Sequence, residues 1–96
     1  MAFEIIARFH ARDGLEAAVA AALREQVGHT REEPGCIEIG ALASTRNPRL
    51  FFIHSRWTDE AAFEVHAALP RTARFVGAME KLIDHPFDAA RLRKIA

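Results

Sequence analysis

Apolar residues alternate with polar ones in four stretches of the chain and recur every three or four residues in three others. The two periods divide it into strands and helices. Phe3, Ile5, Ala7 and Phe9 alternate with Glu4, Ile6, Arg8 and His10, which predicts a first strand from Phe3 to His10. A stripe of Leu15, Val19, Ala22, Leu23, Val27 and Thr30 predicts a helix opened by Asp13 and Glu16 in the form of a capping box. This helix is expected to run to about Glu33, where Pro34-Gly35 ends it. Cys36 to Ala43 and Arg49 to Trp57 read as two strands joined by the polar turn Ser44-Thr45-Arg46-Asn47-Pro48, hence a hairpin. Thr58 is placed to cap a helix that stops before Pro70 and buries Ala62, Val65 and Leu69. Thr72 to Asp84 forms another, striped by Phe75, Val76, Met79, Leu82 and Ile83 and broken by His85-Pro86. Phe87 to Ile95 is a last strand with weaker alternation.

The order β-α-β-β-α-(α)-β predicts an α+β, ferredoxin-like antiparallel sheet with its helices on one face, in one domain spanning residues 1–96. The odd-numbered strand residues Phe3, Ile5, Phe9, Ile37, Ile39, Phe51, Ile53 and Trp57 are the more apolar set and are placed under the helices. The other face mixes Ile6, Leu42, Leu50 and Phe52 with Arg8, His10, Glu38, His54 and Arg56. A mixed face on so short a chain suits two sheets packed face to face, and a homodimer is expected.

Thirteen Lys and Arg balance thirteen Asp and Glu, which argues against nucleic acid or a polybasic membrane anchor as partner. The C-terminal Arg91, Arg93 and Lys94 are expected on a solvated strand face. Cys36 is the single cysteine, so there is no internal disulfide and no thiolate metal cage, and a reducing compartment is expected. The N-terminal MAFEIIARF lacks the form of a signal peptide, and no apolar run approaches the ~20 residues that span a bilayer. The expectation is a cytoplasmic protein.

The stretch LFFIHSRWTDEAAFEVHAAL, residues 50–69, carries the candidate chemistry. A strand end supplies Trp57, and the following helix projects Phe63 and His66 from one face. These residues, with Phe9, Phe75 and Met79, are the candidate lining of an apolar slot for a small aromatic ligand. His66 is the candidate base, because imidazole titrates near neutral pH. The plainer readings are a helix His bonded to a carbonyl and a set of core aromatics. A second candidate is a Glu38–His54 dyad on the mixed face, formed if the hairpin pairs Ala41 with Phe51; an interface ion pair is its plainer reading. Ser55 has no elbow glycines, Cys36 reads as a buried inert thiol, and there is neither a G-x-G-x-x-G nor a P-loop. The five His include no pair at metal-ligand spacing on one helix face, so no metal and no bound cofactor are expected.

The order of elements, EEPGC before the second strand, RW at the end of the third and a His in the next helix together resemble the antibiotic biosynthesis monooxygenase family, from Phe3 to about Arg93. The resemblance implies a dimeric α+β barrel with a pocket between sheet and helices. It implies a cofactor-independent monooxygenase of a quinol or phenol, or a dimer that binds a small ligand without turnover. Trp57 matches a pocket Trp of the family and His66 a common helix His. Members often carry Tyr-Glu where this chain has His54 and Ser55, and the chain has no Tyr, which excludes a phenolic donor. The haem-degrading members' working residues fall at about Ala7, His66 and Val76, so haem cleavage is not expected.

Overall fold

A computed structural model describes residues 2–96. The elements are β1 (Phe3–His10), α1 (Glu16–Thr30), β2 (Cys36–Ala43), β3 (Leu50–Trp57), α2 (Glu60–Ala67), α3 (Pro70–Glu80) and β4 (Asp88–Arg93). The four strands form one antiparallel sheet in the order β2-β3-β1-β4. This is the expected α+β, ferredoxin-like arrangement. Val19, Leu23 and Val27 of α1, Met79 of α3 and Ile83 pack with Phe9, Ile39, Phe51 and Ile53 of the sheet to form the core. Full burial of such a side chain contributes about 1.5–3 kcal/mol. Among the described residues no helix is long and apolar enough to cross a membrane.

Helix ends differ from expectation for local reasons. Gly14, at φ +84°, turns the chain away before Asp13 can cap, and Glu16 instead reaches back to accept the Gly14 N–H at 3.1 Å. α1 stops at Thr30, because residues 31–33 tighten into turns ahead of Pro34. The cap of α2 is Asp59, not Thr58; its Oδ1 accepts the Ala62 N–H at 2.8 Å. α3 begins at Pro70, whose fixed φ suits a first helical position. It ends at Glu80, since Ile83 leaves to bridge Ala11.

Two strand expectations are also corrected. A bulge between Cys36 and Glu38 inserts Ile37 as an unpaired residue, so Ile37 is 46% exposed rather than under the helices. The hairpin loop is tighter than supposed: Ser44 N–H bonds Leu50 C=O at 2.9 Å. Ala43 therefore faces Phe51, and Ala41 faces Ile53. Glu38 consequently lies opposite Arg56, and the Glu38–His54 dyad does not form. The partner of His54 is Glu4 on β1, with Nε2 2.8 Å from Oε1. The sheet face away from the helices leaves Ile6, Leu42 and Leu92 exposed around this pair.

Candidate active site

α2 and α3 cross the sheet but do not fill the space beneath them, leaving a cavity of about 320 Å³. Ile5, Ala7, Phe9 and Ile53 form its floor, and Phe63, His66, Thr72 and Phe75 its roof. Gln26 and Thr30 of α1 close one side, and Phe87 and Arg91 bound another. The walls are apolar apart from a few placed polar groups, the usual make-up of a small-molecule site.

Among the predicted lining residues, Phe9, Phe63 and Phe75 face the cavity, as does His66. Trp57 stands behind the wall, fully buried, and touches the site through others. Its ring centroid lies 5.0 Å from His66 and 5.8 Å from Phe63, and its Nε1 donates to Ser55 Oγ at 3.0 Å. Ser55, on the wall itself, keeps its own hydroxyl proton free to donate. Met79 does not reach the cavity; it is fully buried in the core beside α1. Val65, expected to be buried, is 66% exposed, because α2 turns Phe63 and His66 inward instead.

The partner of His66 is Glu33. Nδ1 lies 2.7 Å from Oε1, and both side chains are nearly buried, at 11% and 8% exposed. An ionised carboxylate only accepts, so Nδ1 carries the proton and Nε2 is the ring's open nitrogen. Arg71 donates to the other Glu33 oxygen at 2.9 Å, which holds the carboxylate in place. The chain achieves this through Gly35. Its φ of +84° turns α1 into β2, and its C=O accepts from Thr58 N–H at 2.9 Å. A Cβ at Gly35 would sit 2.5 Å from that of Ala62, so only glycine lets α2 dock closely enough for His66 to meet Glu33. Burial, and then the nearby Glu33 charge, push the Cys36 thiol above its ordinary pKa.

Arg91 lies on an exposed strand face, as expected, and is also paired across to α2. It donates to Glu60 at 2.7 Å and also to Glu64, and its guanidinium lies 5.2 Å from the Phe63 ring centre. Thr72 Oγ1 is buried without a partner on the cavity wall. Glu33, Arg71, Ser55, Thr72 and Gln26 were missed in the sequence. Ser55 left a local trace, as a polar residue between Ile53 and Trp57 on the apolar face, and Glu33 lies in the EEPGC motif without its role being read there. Among the described residues, the one cluster of metal-ligand type is His10, Asp84 and His85, outside this cavity. Hydrogen bonds from His10, and then from His85, hold the Asp84 carboxyl below its usual range.

Residues 2–78 match the family model of the antibiotic biosynthesis monooxygenases. The chain belongs to that family. No curated protein matches it significantly. Among solved structures, Rv0793 from Mycobacterium tuberculosis superposes with a TM-score of 0.92 at 22% identity, over 100% of this chain and 97% of that one. PA3566 from Pseudomonas aeruginosa gives 0.89 at 27% identity, over 99% and 95%. SnoaB from Streptomyces nogalater, described as a cofactor-independent oxygenase, gives 0.88 at 16% identity, over 99% and 94%. The chain thus shares the whole-length fold of this monooxygenase family.

Proposed function

We propose that the protein is a monooxygenase that needs no bound cofactor and oxidises a small aromatic quinol or phenol in the cavity under α2 and α3. The observation that carries this reading is the His66–Glu33 pair, which fixes the imidazole tautomer and leaves Nε2 for the ligand. Family membership and the described activity of SnoaB support it. In this mechanism His66 Nε2 takes the phenolic proton, a step that typically contributes about 10²–10⁴-fold. The electron-rich phenolate reduces O₂ directly, and one oxygen atom bonds to the ring carbon. The hydroperoxide then loses water as the ring becomes a quinone, so substrate and O₂ yield quinone and H₂O. The free hydroxyl protons of Ser55 and Thr72 are donors for the developing oxyanion.

The working unit in this proposal is a homodimer that opposes the sheet faces carrying Ile6, Leu42 and Leu92, and its compartment is the cytoplasm, where Cys36 stays reduced. Sedimentation giving only a 10.7 kDa species at micromolar concentration would refute the dimer. The catalytic test is O₂ uptake by the purified protein over a panel of quinols. Turnover should exceed autoxidation and fall by about 10²-fold or more in His66→Ala, measured below its melting point. Thermal shifts with the quinols but no uptake would overturn catalysis in favour of a dimer that only binds a small apolar ligand.

A further inference from the structure

The end of β1 and the turn after α3 are held together by two backbone hydrogen bonds, which together make the bridge between Ala11 and Ile83. Asp84 N–H bonds His10 C=O at 3.0 Å, and Arg12 N–H bonds Leu82 C=O at 2.9 Å. These links set two imidazoles around one carboxylate. His10 Nδ1 lies 2.7 Å from Asp84 Oδ2, and His85 Nδ1 lies 2.5 Å from Oδ1. The rings are stacked, with centroids 5.9 Å apart. Pro86 restricts the backbone of His85.

From this geometry we propose that His10, Asp84 and His85 form a binding site for a divalent first-row transition ion, with Zn²⁺ or Ni²⁺ as the fitting class. One ligand atom from each residue already lies within 4.8 Å of the others. An ion with ligands at about 2.0–2.2 Å draws such atoms to about 3–3.6 Å apart, so the rings need only small adjustments. Two imidazoles and one carboxylate suit zinc, nickel or copper; magnesium and calcium prefer sets of oxygen ligands. Three protein ligands leave a coordination position open. That position has room, because a cavity of about 330 Å³ lies against Asp84 and His85, with Glu80 and Arg12 on its wall.

The plainer account is a surface ion-pair cluster. In its favour, Arg49 Nη2 also bonds Asp84 Oδ2 at 3.2 Å. That cation opposes a second positive charge and weakens the expected affinity. Hydrogen bonds explain each contact singly; what points beyond them is that three metal-ligand atoms from two distant segments lie within one ion's reach. A single His would satisfy an ion pair, yet the half-exposed His85 also brings its ring nitrogen to the same carboxylate. The site also bears on the main cavity, because Phe87 lines both and stacks on Phe9 at 5.0 Å.

The test is titration of the intact protein with Zn²⁺, Ni²⁺ and Mg²⁺, followed by calorimetry and by imidazole NMR shifts. Zn²⁺ and Ni²⁺ should raise the melting temperature and shift the His10 and His85 signals, while Mg²⁺ does neither. Loss of a ligand in His85→Ala should weaken Zn²⁺ at least about tenfold, since even outer-shell partners cost 10- to 100-fold. His29→Ala, which removes an exposed His paired with Glu25, and His54→Ala should leave Zn²⁺ affinity unchanged. The proposal is overturned if the wild type gives no Zn²⁺ response. It is equally overturned if His85→Ala binds as tightly as wild type, or if the response disappears in His29→Ala or His54→Ala instead.

Discussion

Replacing Gly35 by alanine tests the assembly of the site at its narrowest point. Two separate costs arise. The residue sits at φ +84°, and a side chain in that left-handed region costs roughly 1–2 kcal/mol. The new Cβ would lie 2.5 Å from Ala62 Cβ and 3.2 Å from Thr58 Oγ1. Ordinary contact requires α2 to retreat by about 1 Å, and overpacking of this kind costs about 1–3 kcal/mol. The sum, about 2–5 kcal/mol, is a large part of the stability of a small domain but leaves it folded at low temperature. The same retreat breaks the 2.7 Å bond between His66 and Glu33, so the fixed tautomer is lost along with stability. Urea denaturation reports the first effect, and ¹⁵N shifts of the His66 ring report the second. The double variant Gly35→Ala with Ala62→Gly separates them. Removing the Ala62 methyl should restore the Nδ1–H tautomer while keeping the φ penalty and adding about 1 kcal/mol for glycine in a helix. Gly35→Ala within about 0.5 kcal/mol of wild type would refute the close-docking argument, as would a double variant whose His66 tautomer stays mixed.

Two further outcomes follow from shifted titrations. The N–H groups of Glu16 and Gly14 bond the Glu16 carboxylate and lower its pKa from 4.5, so the stability it contributes is present above the unfolded value and lost as pH falls through the folded one. Glu16→Gln should therefore be less stable than wild type at pH 7, with the difference closing below about pH 4.5 in chemical denaturation; a gap that widens in acid would contradict this. Burial raises the Cys36 thiol above its usual 9.0, so at pH 8 it should react with a disulfide reagent more slowly than a free thiol of the unfolded chain. Equal rates in native buffer and in urea would show the thiol to be unprotected.

What could be read from the chain was what local periodicity encodes. β1 and β2 begin and end at the residues that alternation marked, since Phe3, Ile5, Ala7 and Phe9 alone define a face. His66 and Phe63 could be paired because three-residue spacing on a helix is a local fact. Glu33 could not be found in that way. It lies 33 residues from His66, and a docked glycine turn, not a repeat, brings them together. The hairpin register depended on how tightly residues 44–49 close, which is set by Ser44 Oγ accepting from the Arg46 and Asn47 N–H groups. A shift of two residues preserves every side chain's face, so polarity alone could not reveal it. Ile37 was misplaced because a bulge moves a residue off the alternation that otherwise places it. His10 and Asp84 are 74 residues apart and escape any rule based on ligand spacing.

The ion pairs of Arg91 join the two least buried parts of the molecule. β4 has every residue exposed, and α2 contains no buried residue. Exposed pairs of this kind contribute little stability, so these elements belong to the first part of the structure to open. They also bound the cavity on the side where Phe63 and Arg91 meet. Loosening of these few bonds would therefore reach the cavity rim before it disturbed the core. Salt shortens the range of charge attraction from about 10 Å at 0.1 M to about 3 Å at 1 M, so this edge is where ionic strength should act first.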